Sequence, residues 1–247
     1  MIKRLFDIFV SLFGLLAASP ILLPVMFLVW RQDGHSPFYI APRVGRDEEL
    51  FNMVKLRSMV INADKSGVDS TSANDNRITP VGQFIRSYKL DELTQLWNVL
   101  KGEMSLVGPR PNVKRETDLY TLEEKKLLSV KPGITDYSSI VFSDEGEILA
   151  DREDPDLSYN QLIRPYKSRL SLAYIEHQSF LLDIHLIWLT VVAILDKQKA
   201  LNALNRILIS RNVDPDVIRV AKREDDLVPT PPPGAVNVVQ NRDGSVT

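Results

Sequence analysis

The sequence of 247 residues contains no cysteine. That excludes disulfides, thiolate nucleophiles and cysteine-ligated metals together, and it is compatible with the cytosolic side of a membrane. Histidine is nearly as scarce. His35, His177 and His185 are scattered, and the pair at 177 and 185 lacks the i, i+4 spacing of helical metal ligands, so all three read as structural or surface residues. Net charge is small as well. A formal value of −2 argues against general nucleic-acid binding, although residues 1–115 hold fifteen Lys and Arg against eleven Asp and Glu, which leaves that half mildly cationic and suited to a local anion site.

Apolar residues, by contrast, come in long runs. Leu5 to Trp30 is broken only by Asp7, Ser11, Ser19 and two prolines, and it exceeds the count of about 20 needed to span a bilayer. The charged region after it offers no small-residue cleavage site, so it does not read as a removed signal. Lys3 and Arg4 precede the run and Arg31 follows it, which favours placing both ends on the cytoplasmic face. Ser19-Pro20 sits near its middle and Pro24 one turn later, where each proline removes a helix hydrogen bond. A bent, re-entrant helix and a kinked spanning helix both satisfy these residues. Phe180 to Leu195 is a second apolar stretch, with Asp183 and His185 too early for a clean span. It reads as a helix packed on the domain or lying in the membrane interface.

Between these runs, Phe38–Ile40 and Phe51–Met59 read as two short strands about Gly45-Arg46-Asp47. Two-residue alternation puts Phe51, Met53, Lys55 and Arg57 on one face. Asn62 to Asn76 is a polar surface loop. Leu90, Leu93, Trp97 and Leu100 recur at helical spacing with Leu96 beside them, predicting one helix whose apolar face enters the core. Asp91, Gln95 and Asn98 form a polar strip on it, and Lys101-Gly102 ends it. An Asp-Glu pair in a first turn is ordinarily solvated charge that complements the helix dipole, and taken alone Asp91-Glu92 reads that way. Gly108-Pro109-Arg110-Pro111 follows, where two prolines stiffen the backbone around Arg110. Thr121 and Glu124 form a capping box for a helix that ends at Lys131-Pro132-Gly133. The tail from Asp225, with Pro231-Pro232-Pro233 and Gly234, has an extended, weakly ordered composition. If ordered, it must lean on something, for which a second subunit is one candidate.

The strings KLRSM from Lys55, RITPVGQFIRSYKLDELTQLWNVLKGEMSLVGPRP, and KPGIT from Lys131 resemble the bacterial sugar transferase family. The likeness is to the monotopic polyprenyl-phosphate phosphoglycosyl transferases in their small PglC-like form, and it covers roughly residues 2 to 196. The sequence departs from the family after Thr135. Asp136-Tyr137-Ser138-Ser139 and Phe142-Ser143-Asp144-Glu145 stand where many members carry an aromatic and a Gln-Val-Asn-Gly-Arg run, so a cation often found there is missing.

The resemblance implies a mainly helical α+β fold with a small β-hairpin, and an N-terminal re-entrant membrane helix broken at Ser19-Pro20. Residues 1–31 would be the anchor, 32–196 the catalytic domain, and 197–247 a C-terminal extension. The implied reaction moves a sugar 1-phosphate from a nucleotide diphosphate sugar, usually a UDP-sugar, to polyprenyl (undecaprenyl) phosphate. It takes place at the cytoplasmic face of the bacterial inner membrane and begins the assembly of a glycoconjugate. Asp91 would be the nucleophile and UMP the leaving product. The family requires Mg2+, for which Glu92 and Asp91 are the ligand candidates. Lys55, Arg57, Arg86 and Arg110 would hold phosphates, while Pro109, Pro111, Pro132 and Gly133 shape the motif loops. The competing classes are a sugar-only glycosyltransferase that releases UDP and an inactive membrane scaffold.

Overall fold

The computed structural model describes residues 1–66, 70–72 and 74–241. The fold is mainly helical and carries a small antiparallel hairpin, as expected. Residues 67–69 and 73 of the polar loop expected over Asn62–Asn76 lie outside the described residues.

Helix α1 (Ile2–Asp33) runs without interruption through Pro20 and Pro24, so no backbone break appears at Ser19-Pro20. Ser19 Oγ donates to Leu16 O, and Gly34 caps the helix in the left-handed region at φ 71°. Its buried residues Asp7, Ser11, Leu22, Val25 and Val29 recur at three- and four-residue steps and their multiples, as one helical face requires. That face lies along the rest of the protein. Asp7 accepts from Ser105 Oγ and Leu106 N, the Cβ position of Gly14 is 3.1 Å from Leu96, and Leu22, Val25 and Val29 join Leu56, Ile85 and Leu90 in a core cluster. Both ends are fastened too, by Lys3 to Asp183 and by Asp33 to Arg57. The opposite face exposes Leu5, Phe9, Phe13, Leu16, Leu23 and Phe27.

The hairpin pairs β1 (Phe38–Val44) with β2 (Leu50–Leu56). It is longer on its first strand, and shorter on its second, than the apolar runs predict. The single helix expected over Leu90–Leu100 is divided instead. After α2 (Pro80–Ser87) come α3 (Leu90–Leu93) and α4 (Leu96–Lys101), joined by a tight turn at Thr94-Gln95. Trp97, expected in the core, is 54% exposed, while Leu90, Leu96 and Val99 are buried. The division re-aims the polar strip inward, and Asp91, Gln95 and Asn98 are all buried.

Strand β3 (Ser105–Val107) and β4 (Gly133–Thr135) form a short parallel pair that flanks α5 (Lys114–Thr117) in sequence. The Thr121–Glu124 capping box forms as expected, but the turn after it is a 3-10 segment, Glu124–Ser129. Helices α6 (Tyr137–Val141), α7 (Glu145–Ile148), α8 (Pro155–Ser158) and α9 (Arg164–His177) follow, α8 and α9 being bridged by a π-turn over Tyr159–Ile163. Asp136, in the segment that departs from the family string, caps α6 and accepts from Ser138, Ser139 and Ser171. It is therefore a structural residue.

Helix α10 (Phe180–Leu195) buries Leu182, Leu186 and Leu189 and exposes Leu181, Ile184, Trp188 and Leu195. Phe6 and Phe180 meet edge to face at 5.2 Å, so the exposed apolar sides of α1 and α10 adjoin. Helices α11 (Lys197–Ser210) and α12 (Pro215–Ala221) complete the larger core cluster. The proline-rich tail then lies back on its own chain. Thr230 N donates to Gln161 O, Arg169 donates to Pro231 O, and Gln161 Nε2 donates to Val239 O.

Candidate active site

Two carboxylates of α3 face two cations brought from elsewhere in the chain. Lys55, near the end of β2, places Nζ 3.5 Å from Asp91 Oδ2, and Arg110 donates to Glu92 Oε1 at 2.9 Å. The side chains of Lys55 and Asp91 are 19% and 12% exposed, so this charge is not the freely solvated kind that an Asp-Glu pair in a first turn ordinarily represents.

The local chain explains the placement. Thr94 Oγ1 donates to Val54 O, while Asn98 accepts from Val54 N and donates to Asn52 O, which ties the turn and α4 to the strand residue beside Lys55. Lys89 precedes α3 in the left-handed region at φ 54°. Arg110 is fixed by a different device. Gly108 N donates to Thr135 O and Gly133 N to Pro109 O, and a Cβ at Gly133 would lie 2.1 Å from the Gly108 nitrogen. Only glycine permits that approach. Pro109, Pro111, Pro132 and Gly133 thus frame the loop that holds Arg110, with Pro132 O accepting from Ser105 N at 2.8 Å.

Charge shapes the protonation of the site. Burial pushes the Glu92 carboxyl up, but Arg110, with Lys55 and Lys89 behind it, overrides that and holds it down at about 2. The Arg110 guanidinium is correspondingly raised by Glu92. Burial, followed by Arg110, lowers the Lys55 ammonium. Because α3 has only four residues, its dipole adds little, and the cations carry most of this stabilisation.

Arg57 is not part of this site. The strand ends at Leu56, the alternation ends with it, and the guanidinium turns to the end of α1. There Nη1 and Nη2 bind the two Asp33 oxygens at 2.5 and 2.8 Å, and Nε donates to Ser36 O. These contacts tie the expected phosphate-binding residue Arg57 to the end of α1 rather than to Asp91 or Glu92. Arg86 is half-buried near Asp75, whose carboxyl it helps to lower, and it has no ion-pair partner among the described residues. The structure does not bring it to Glu92 as it does Lys55 and Arg110.

Sequence reasoning missed a second group of charges. Lys167 pairs with Glu145 and stands 5.5 Å from the Tyr159 ring centre. Burial raises the Glu116 carboxyl against the pull of Arg43, and Arg43 in turn is electrostatically coupled to Arg110. These residues come from separate elements with no shared spacing, so no motif could have grouped them.

Among the described residues no cluster of three or more His, Asp or Glu side chains could hold a metal alone. Carboxylate oxygens such as those of Asp91 and Glu92 are nonetheless the hard donors that Mg2+ accepts, since it keeps water and substrate ligands beside one or two of them. The arrangement can therefore hold phosphate through Lys55 and Arg110 and present one carboxylate to it.

Residues 1–197 match the family described as bacterial sugar transferase. Among relatives, the undecaprenyl-phosphate galactose phosphotransferase of Salmonella typhimurium is 44% identical over 149 residues, covering 54% of this chain and 31% of that protein. The undecaprenyl-phosphate glucose phosphotransferase of Komagataeibacter xylinus is 39% identical over 197 residues, 76% of this chain and 35% of the relative. The uncharacterized sugar transferase EpsL of Bacillus subtilis is 34% identical over 194 residues, 78% and 87% of the two chains. The chain thus spans about a third of the length of the longer relatives it matches and most of EpsL. With the family match extending over most of its length, the chain belongs to the bacterial sugar transferase family.

Proposed function

We propose that this chain transfers a sugar 1-phosphate from a UDP-sugar to undecaprenyl phosphate in two steps, with Asp91 as the nucleophile. The observation that carries the reading is the pairing of Asp91 with Lys55 beside Glu92 with Arg110. In the first step an Asp91 carboxylate oxygen bonds to the sugar-proximal phosphorus, and the bond from that phosphorus to the bridging oxygen breaks. UMP departs with that oxygen. In the second step an oxygen of the lipid phosphate attacks the same phosphorus, the acyl phosphate bond breaks, and the Asp91 carboxylate is restored. No proton is consumed. Lys55 and Arg110 hold the phosphate oxygens, and the guanidinium can do so at two points. Mg2+, held by Glu92 and Asp91 with the diphosphate, would offset negative charge on the transferring group.

The lipid acceptor requires a site at the bilayer surface. The adjoining apolar faces of α1 and α10 supply a surface for it, and two relatives are named as undecaprenyl-phosphate sugar phosphotransferases. The contacts of α1 with the rest of the chain, from Asp7 to Asp33, support a monotopic anchor.

The test is the half-reaction. Protein, UDP-sugar and Mg2+ without lipid should release at most about one UMP per active site, and mass spectrometry should find the sugar phosphate on the peptide containing Asp91. Asp91→Asn should abolish both. Release of UDP would identify a glycosyltransferase that moves the sugar alone. UMP that appears only with the lipid present, with no adduct, would replace the covalent route by direct transfer.

A further inference from the structure

A second anion-shaped region lies away from the paired carboxylates. A cavity of about 320 Å3 opens beside the start of α1, and its lining includes Lys3, Arg4, Arg46 and Lys131, with Asp7 as the acidic member. The acidic groups nearby are already engaged. Asp7 accepts from Ser105 Oγ and Leu106 N, Asp183 pairs with Lys3, and Asp47 pairs with Arg46 at 3.0 Å.

That leaves two cations without a carboxylate of their own. Among the described residues, Arg4 donates only to the carbonyls of Val99 and Leu100. Lys131 has no hydrogen bond or ion pair among the described residues. Both converge on Gly102, whose Cβ position is 3.2 Å from Arg4 Nη2 and 3.6 Å from Lys131 Nζ. Arg4 and Arg46 depress the Lys131 ammonium further after burial has lowered it, as expected for like charges awaiting an anion.

The cavity also has a membrane-side rim. Leu5 follows Arg4 directly and is 62% exposed, and Leu181 of α10 is 75% exposed just beyond the cavity-lining Gln178. Polar lining and apolar face therefore meet where the phosphates of a bilayer would lie. Arg4 grips the last turn of α4, whereas Asp91 lies on α3, on the other side of the Thr94-Gln95 turn.

We infer that this cavity binds an anionic phosphate group through Arg4, Lys131 and Arg46, and that it is a site distinct from the one that carries Asp91. The ligand chemistry is a phosphomonoester or phosphodiester, supplied either in solution or by a lipid headgroup.

Amine-selective acetylation of the full chain in detergent, read by mass spectrometry at Lys131, tests this directly. Inorganic phosphate should protect Lys131 relative to chloride at equal ionic strength, while the exposed, Glu123-paired Lys126 should not respond. In a parallel arm the chain is placed in nanodiscs of phosphatidylcholine with or without phosphatidylglycerol. Protection by soluble phosphate identifies the bare group as sufficient, and protection only with phosphatidylglycerol identifies the headgroup as the ligand. In either case Arg46→Gln, a change at an exposed residue that should fold, is expected to weaken the protection about tenfold, as loss of one charge-assisted contact predicts. Lys131 that is protected by neither probe, or an Arg46→Gln chain protected as well as the wild type, overturns the assignment.

Discussion

Arg110→Met isolates what one guanidinium does to the carboxylate beside it. The Glu92 carboxyl is held at about 2 against an ordinary 4.5, a depression of roughly 3 kcal/mol in favour of its charged form. Burial opposes that depression, and Arg110 is the largest of the charges that overcome it. Without Arg110, the Glu92 titration should move up towards its ordinary value, with Lys55 and Lys89 still opposing burial. The sign of the stability change follows. In the wild type the folded value lies below the unfolded one, so this contribution is complete above pH 4.5 and is lost progressively as pH falls from there through about 2. In the variant a carboxylate is left with less compensation, so stability falls at neutral pH and the deficit relative to the wild type narrows on acidification. Removing one partner of a fully buried pair costs about 3–5 kcal/mol, and these side chains are 22% and 34% exposed, so about 1–3 kcal/mol is the reasonable scale here. Carboxyl-labelled glutamate NMR reads the titration without needing an active enzyme, with Glu92→Gln to assign the signal. A wild-type Glu92 resonance that titrates near 4.5, or one whose midpoint is unchanged in Arg110→Met, would refute the reasoning.

Three further outcomes follow from other contacts. Arg57→Gln should loosen the end of α1 and lower the thermal midpoint while the KM for UDP-sugar stays unchanged in the folded fraction; a raised KM at unchanged stability would return Arg57 to phosphate binding. Glu124→Ala should strand the buried Arg164 guanidinium, which it binds at 3.1 and 2.7 Å, at a cost of about 3–5 kcal/mol. The expected fall in melting temperature is about 6–20 °C, and a change below about 2 °C would contradict it. Single cysteines at Ile2 and Gln32, introduced into the cysteine-free chain, should both resist an impermeant maleimide in intact spheroplasts, and labelling of either one from outside would exclude a monotopic anchor.

The elements legible in the sequence were those governed by short-range rules. Hydrophobic length marks α1 and α10, Gly102 marks the α4 end, and the Thr121–Glu124 spacing marks its capping box. The central helix was legible as helix but not as two pieces. Periodicity cannot register the turn at Thr94-Gln95 that buries Asn98 and exposes Trp97, because that turn answers to hydrogen bonds from β2, about 40 residues earlier. The shared face of Phe51, Met53, Lys55 and Arg57 meets a related limit: alternation holds only to Leu56, where the strand ends and Arg57 turns to Asp33. Lys55, Asp91, Glu92 and Arg110 were identified through the family string rather than through any local pattern. Their distances depend on long-range pairings that only the fold supplies, among them the Gly108–Gly133 approach.

Those pairings make α1 more than an anchor. Leu22, Val25 and Val29 are 6%, 5% and 0% exposed and pack on Leu56, Ile85 and Leu90, which immediately precede Arg57, Arg86 and Asp91. A chain that starts after Asp33 would therefore uncover the floor beneath α3. Each buried aliphatic side chain is worth about 1.5–3 kcal/mol, so these three alone contribute about 5–9 kcal/mol. The truncation would also strand Arg57 and Asp183 without their α1 partners. Folded domains hold only about 5–15 kcal/mol in total, so the truncated chain should lose its fold as well as its membrane attachment. Circular dichroism and hydrogen exchange on residues 34–247 in detergent can decide this. A cooperative thermal transition with protected amides in α3 and α4 would show that the site stands without the helix, and that α1 serves attachment alone.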